Sequence, residues 1–184
     1  MAIETAGECG RSGRDGHGWR IAGWGTAAAL LAVPFVAMHF TDEVNWTASD
    51  FLFVGGLFGM VGLVIELAVR RSSDWAYRGG VIAAALAGLV ILWAIGAVGM
   101  IGNEDNPYNL LFGLPILVAL LGSIAARFRA RGMTWATLAA AVVHIAVALG
   151  GVAQDPRGMV FSLLLSSLWL ASAALLFGAA ARGS

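Results

Sequence analysis

Phe40-Thr41-Asp42-Glu43-Val44-Asn45-Trp46-Thr47-Ala48-Ser49-Asp50-Phe51 is a polar, acidic break between two apolar runs. Around it the chain is mostly hydrocarbon: 59 % of its 184 residues are hydrophobic and only 12 % are charged. A water-soluble domain of this length cannot hide that much apolar surface. A helix rising about 1.5 Å per residue needs roughly 20 apolar residues to cross about 30 Å of hydrocarbon, and the break falls between one such crossing and the next. Working outward from it, six runs meet the requirement, at approximately 21–40, 51–69, 79–101, 110–126, 134–152 and 159–181. The expected fold is all-α, an integral membrane six-helix bundle with no sizeable domain outside the lipid. Pro34 and Pro115 fall within the first and fourth runs as candidate kinks, which neighbouring helices or water can accommodate.

The formal net charge is zero, so the total gives no sign of a nucleic-acid partner, but the charge is unevenly placed. Arg11, Arg14, Arg20, Arg70, Arg71, Arg78, Arg127, Arg129, Arg131 and Arg182 flank one side of the spans, and only Arg157 flanks the other. Positive loops stay in the cytoplasm. Both termini are therefore expected inside, with the acidic connections facing outward. Arginine without any lysine, together with abundant Ala and Gly, suggests a bacterial coding bias and hence the bacterial cytoplasmic (inner) membrane. Residues 1–18 are Gly-rich, polar and of mixed charge, and read as a disordered cytoplasmic tail before a transmembrane domain at 19–184. The single cysteine, Cys9, lies in that tail, so no disulfide framework or Cys metal cluster follows.

Ala27-Ala28-Ala29, Ala83-Ala84-Ala85 and Ala139-Ala140-Ala141 are equally spaced, and Arg71, Arg127 and Arg182 nearly so. One reading is three repeated helical hairpins with three similar outer turns. The other is chance in an alanine-rich chain.

The acidic turns are the first place to look for chemistry. Helix capping accounts for part of them: Thr47-x-x-Asp50 has the form of a capping box, and Asn106-Pro107 and Asp155-Pro156 each set a capping residue before proline at a first helical position. Asp42, Glu43, Glu104 and Asp105 are left over. Such a group suits a divalent cation such as calcium, magnesium or manganese, and His39 adds a nitrogen donor that moves the preference toward zinc. The plain alternative is a solvated acidic rim.

Two ionisable groups fall within the spans. Glu66 stands four residues before Arg70, the favourable order for a helical ion pair, and both can reach the inner interface. His144 lies near the middle of the fifth run. A bis-histidine haem needs a second histidine at matching depth, which neither His39 nor His17 supplies. An interhelical hydrogen bond from His144 to Ser162, Ser166 or Ser167 is the expectation instead. Gly55, Gly56, Gly59 and Gly62 line the second run as a close-packing signal.

The segment from Phe40 to Phe51, then Ile101-Gly102-Asn103-Glu104-Asp105-Asn106-Pro107 and Ala126-Arg127-Phe128-Arg129-Ala130-Arg131-Gly132-Met133, resembles the signature segments of an uncharacterised family of small multi-pass bacterial membrane proteins. The resemblance covers the first five spans, thins out in the sixth, and departs at Tyr108, where that pattern has a small residue, and in the second half of the third span. It implies the multi-pass fold and carries no catalytic or binding role to any residue. Three functions follow from the sequence. One is a membrane protein whose outer acidic site binds a cation for permeation or sensing. Another is a non-catalytic accessory or assembly subunit that meets a membrane-protein partner or its own copy. The third, and least favoured, is an enzyme built on His39 and a metal.

Overall fold

A computed structural model describes residues 12–183, with side chains from Gly18 onward except that of Trp19. Six α-helices follow one another: α1 (Ser12–Ala37), α2 (Ala48–Arg71), α3 (Trp75–Ala97), α4 (Gly113–Ala125), α5 (Ala130–Gly150) and α6 (Pro156–Arg182). A 3₁₀ helix, Pro107–Phe112, leads into α4. No strand occurs among the described residues. All six spans are long and apolar enough to cross a membrane, the fourth only when the 3₁₀ segment is included. The protein is thus an all-helical membrane protein.

Helices α2, α3, α5 and α6 each begin three or four residues before their apolar runs; side-chain caps set the starts of α2, α3 and α6, while α5 starts at Ala130 without one. Helix α1 begins at Ser12 and takes in 12–18, part of the expected tail; the rest of that tail and Cys9 lie outside the described residues. At about 1.5 Å per residue its 26 residues exceed the hydrocarbon thickness, so a polar first turn need not enter lipid. The fourth span differs most from expectation. Pro115 does not kink it, because it is the third residue of α4, in the first turn, where a missing N–H costs no hydrogen bond.

The chain divides into two compact units, Met1–Gly62 and Leu63–Ser184. In the first, α1 and the beginning of α2 form an antiparallel hairpin. Phe35 meets Phe51 edge-on at 6.4 Å between ring centroids. Leu31 lies over Gly55, and the Trp24 ring covers Gly62 so closely that a Cβ there would collide with it. These three pairs step along the two helices in opposite directions.

The second unit has small residues inside and large apolar ones outside. Helix α5 turns Met133, Ala136, Thr137, Ala140, Ala141, His144 and Ala148 inward at helical spacing, while Trp135, Val142 and Leu149 face out. Helix α6 buries Ser162, Ser166, Trp169, Ser172, Ala173, Leu176 and Ala179 and exposes Leu164, Leu170 and Phe177. Small interfaces with large outward side chains suit helices packed within lipid, where burying a leucine against protein instead of acyl chains gains little. Close approach is visible where Ser172 Oγ donates to the Gly80 carbonyl at 2.7 Å. A Cβ at Gly80 would strike Leu176, and one at Gly122 would strike Ala136. Helix α3 packs mainly on α6, and α4 on α5. The second and third hairpins are therefore unequal: α5 and α6 lie against each other, whereas the 3₁₀ segment intervenes between α3 and α4. The equal spacing of the alanine runs has no counterpart in this packing.

Candidate functional site

Within the second unit, charge separates by end. At one end Asp74 caps α3, accepting from Ala76 N and Tyr77 N at 2.7 and 3.0 Å. The same carboxylate takes a two-pronged pair from Arg182 at the close of α6, at 2.9 and 3.0 Å. The Arg182 hydrogen bond, and then the Tyr77 N–H, hold Asp74 well below the usual carboxylate range. Arg78 donates to the Ser72 and Val69 carbonyls and so closes the end of α2. Tyr77 OH donates to the Phe128 carbonyl at 3.0 Å, bringing the turn of Arg127, Arg129 and Arg131 to this same end. Asp74 was not among the sequence candidates; Ser72-Ser73-Asp74 before an apolar run was the cue for it.

Glu104, Asp105 and Asp155 occupy the opposite end, on a connection knitted by side-chain amides. Asn109 is buried, accepts from Met100 N and Ile101 N at 3.0 and 2.8 Å, and donates to the Asn103 carbonyl at 2.7 Å. Gly99 and Gly102 have positive φ (79° and 75°), and a Cβ at Gly99 would run into the Asn103 carbonyl. Asn106 caps the 3₁₀ helix through Tyr108 N and also reaches Gln154. Asp155 caps α6 through Arg157 N and accepts from Gly102 N at 3.0 Å, tying the two connections together. The N–H groups of Gly158, Gly102 and Arg157 lower its carboxyl from the ordinary value. Tyr108, the departure from the resembled pattern, donates its hydroxyl to the Val147 carbonyl at 2.7 Å.

Capping thus takes up Asn106 at the 3₁₀ helix and Asp155 at α6, as expected. Glu104 and Asp105 stand exposed on the outside of this connection. In the first unit Asp50 accepts from Thr47 N at 2.7 Å and from the Thr47 hydroxyl at 2.8 Å, which makes the carboxylate half of the expected box, while the Asp50 N–H bonds to the Thr47 carbonyl and not to the hydroxyl. Asp42 and Glu43 are exposed, and His39 engages the Phe35 carbonyl through Nδ1 at 2.9 Å while its ring leans on Phe35. Among the described residues, no three His, Cys, Asp or Glu side chains come together in a group able to hold a metal ion.

Glu66 and Arg70 form the expected helical pair at 2.6 Å. The expected bond from His144 to a serine hydroxyl does not form. The ring is fully buried beside the Ser162 main chain, and neither ring nitrogen meets a serine hydroxyl; the Ser162 hydroxyl and the Trp169 indole N–H are unpaired. Ser166 donates instead to the Leu163 carbonyl of its own helix at 2.6 Å, and Ser167 is exposed. The imidazole packs edge-on to Phe112 at 5.3 Å, an aromatic neighbour from a connection whose fold the helix pattern did not reveal. Comparison with protein-family models, with curated proteins and with solved structures found no match.

Proposed function

We infer that the chain is a non-catalytic subunit of a bacterial cytoplasmic-membrane assembly, with both termini in the cytoplasm, of the small multi-pass family that its Phe40–Phe51 and Gly102–Pro107 segments resemble. One observation supports this reading: the first unit buries almost nothing of itself. None of the α1 span is buried. Leu30, Val33, Phe35, Leu52, Phe53 and Met60 are all more than half exposed, and a Cβ at Gly56 or Gly59 would meet nothing. Within its own unit the glycine face of α2 is open, which suits the close approach of another helix; on this reading that helix belongs to a different membrane protein or a second copy of this chain. Extraction in mild detergent should therefore yield a defined complex, and Gly59→Leu should dissociate it while leaving the melting temperature of the second unit unchanged. Recovery of the parent as a lone monomer would count against the subunit reading.

A second reading takes each exposed pair of carboxylates by itself, Asp42 with Glu43 in the first unit and Glu104 with Asp105 in the second. A divalent cation would be held at either pair loosely, through its water shell, since calcium and magnesium keep waters where protein oxygens are few. On this reading, millimolar calcium, magnesium or manganese raises the melting temperature. Glu104→Gln with Asp105→Asn, or Asp42→Asn with Glu43→Gln, reduces the rise. An unchanged melting temperature in the parent would dispose of it.

A further inference from the structure

The turn between α4 and α5 is built differently from the others. Arg127 and Phe128 both adopt positive φ, 52° and 56°, a strained conformation for residues with side chains. Phe128 N bonds back to the Ser123 carbonyl at 2.9 Å and Tyr77 OH holds the Phe128 carbonyl, so the turn is fixed. Gly132 lets the start of α5 close on the end of α4, since a Cβ there would strike Ala126. An open cleft of about 490 Å³ results, lined by Arg127, Arg129, Arg131 and Trp135 above a floor of Ala126 and Gly132.

All three arginines are exposed, and none makes an ion pair with a described carboxylate. No acidic residue occurs anywhere between Asp105 and Asp155, so the whole α4–α5 hairpin carries uncompensated positive charge. Of the other arginines at this end, Arg182 is bound to Asp74, Arg78 to main-chain carbonyls and Arg70 to Glu66, while Arg71 is exposed at the close of α2. Guanidinium groups lining one cleft match the oxygens of a phosphate. Trp135 and Phe128, both exposed beside it, are amphipathic or apolar groups suited to the boundary between headgroups and acyl chains.

We propose that this cleft binds a phosphate-bearing anion, which at the end of a membrane-spanning helical unit is the phosphodiester headgroup of an anionic phospholipid. The full chain in a neutral detergent is titrated with dioctanoyl phosphatidylglycerol and, in parallel, with dioctanoyl phosphatidylcholine, and bound lipid is counted by native mass spectrometry. The expected result is one phosphatidylglycerol held at least tenfold more tightly than phosphatidylcholine. The Arg127→Gln, Arg129→Gln, Arg131→Gln triple variant loses the preference, and Arg157→Gln at the opposite end keeps it. Should the triple variant fail to fold, the three single variants each weaken phosphatidylglycerol severalfold and leave phosphatidylcholine unaffected. Inorganic phosphate is added as competitor: displacement at millimolar concentration identifies free phosphate as the natural source, and no displacement identifies the lipid. The proposal is overturned if the parent binds phosphatidylglycerol no better than phosphatidylcholine and does not bind phosphate, or if removing the arginines leaves the preference intact.

Discussion

Replacing Asn109 by leucine removes the acceptor for two main-chain N–H groups in one step. Asn109, Met100 and Ile101 are each 1 % exposed or less, so neither N–H can turn to water without opening the loop. The third bond, from Asn109 to the Asn103 carbonyl, is cheaper to lose, because Asn103 is exposed and can rehydrate. A buried donor left without a partner costs about 1–3 kcal/mol, and two give about 2–5 kcal/mol after a small gain from the apolar side chain. For a chain of this size each kcal/mol moves the melting temperature by about 2–4 °C, so a fall of about 4–20 °C is expected in detergent. Hydrogen exchange provides the local readout, since the Met100 and Ile101 amides should lose protection before those of α5. Asn103→Ala keeps the main-chain carbonyl and should stay within about 0.5 kcal/mol of the parent. A melting temperature within 2 °C of the parent (about 1 kcal/mol or less), with both amides still protected, would refute Asn109 as the organiser of this connection.

Gly80→Ala should destabilise by about 1–3 kcal/mol, because its Cβ meets Leu176 and the Ser172 carbonyl and forces α3 from α6. Gly88→Ala, whose Cβ comes only within 4.0 Å of Ile116, should be neutral or gain up to about 1 kcal/mol of helix propensity; thermal unfolding of the pair checks both. His144→Leu should leave stability unchanged or raise it by up to about 2 kcal/mol, since it removes buried polar atoms that meet no side-chain hydrogen-bond partner. A loss of about 1 kcal/mol or more in chemical denaturation would mean that the ring has a partner. The Asp74 contribution has a definite pH sign. Its folded-state pKa is depressed chiefly by Arg182, so the stability it confers is present above its unfolded value of about 3.9 and is lost as pH falls from there through the folded value. Melting curves between pH 6 and 2 should show the parent weakening below about pH 4. Asp74→Asn should start lower at pH 6 and depend less on pH.

Helix number and the ends that carry arginine were legible because hydrocarbon thickness and arginine placement are properties of composition along the chain. The capping box at Thr47, the cap at Asp155 and the Glu66 to Arg70 pair were legible because they are local, within four residues. What the sequence did not reveal is long-range. Asn109 reads as one more polar residue near a helix start, and only the return of Met100 and Ile101 to its carbonyl oxygen makes it a structural centre. Asp74 went unread although Ser72-Ser73-Asp74 offered a local cue for a cap, and its pairing with Arg182, 108 residues away, depends on α6 ending beside the start of α3. Serines at helical spacing opposite His144 suggested a hydrogen bond, but spacing fixes only which face is shared. The Phe112 ring, delivered by the 3₁₀ segment, determines where the imidazole lies.

The central claim is that lipid separates the arginine-bearing end of the second unit from its carboxylate-bearing end. The direct measurement is labelling with a membrane-impermeant maleimide in intact bacterial spheroplasts, in a Cys9→Ser background carrying either Asp105→Cys or Arg129→Cys, both exposed positions. The expected result is that the cysteine at 105 reacts in intact spheroplasts and the one at 129 reacts only after the membrane is opened. Equal labelling of both in intact spheroplasts would contradict the account.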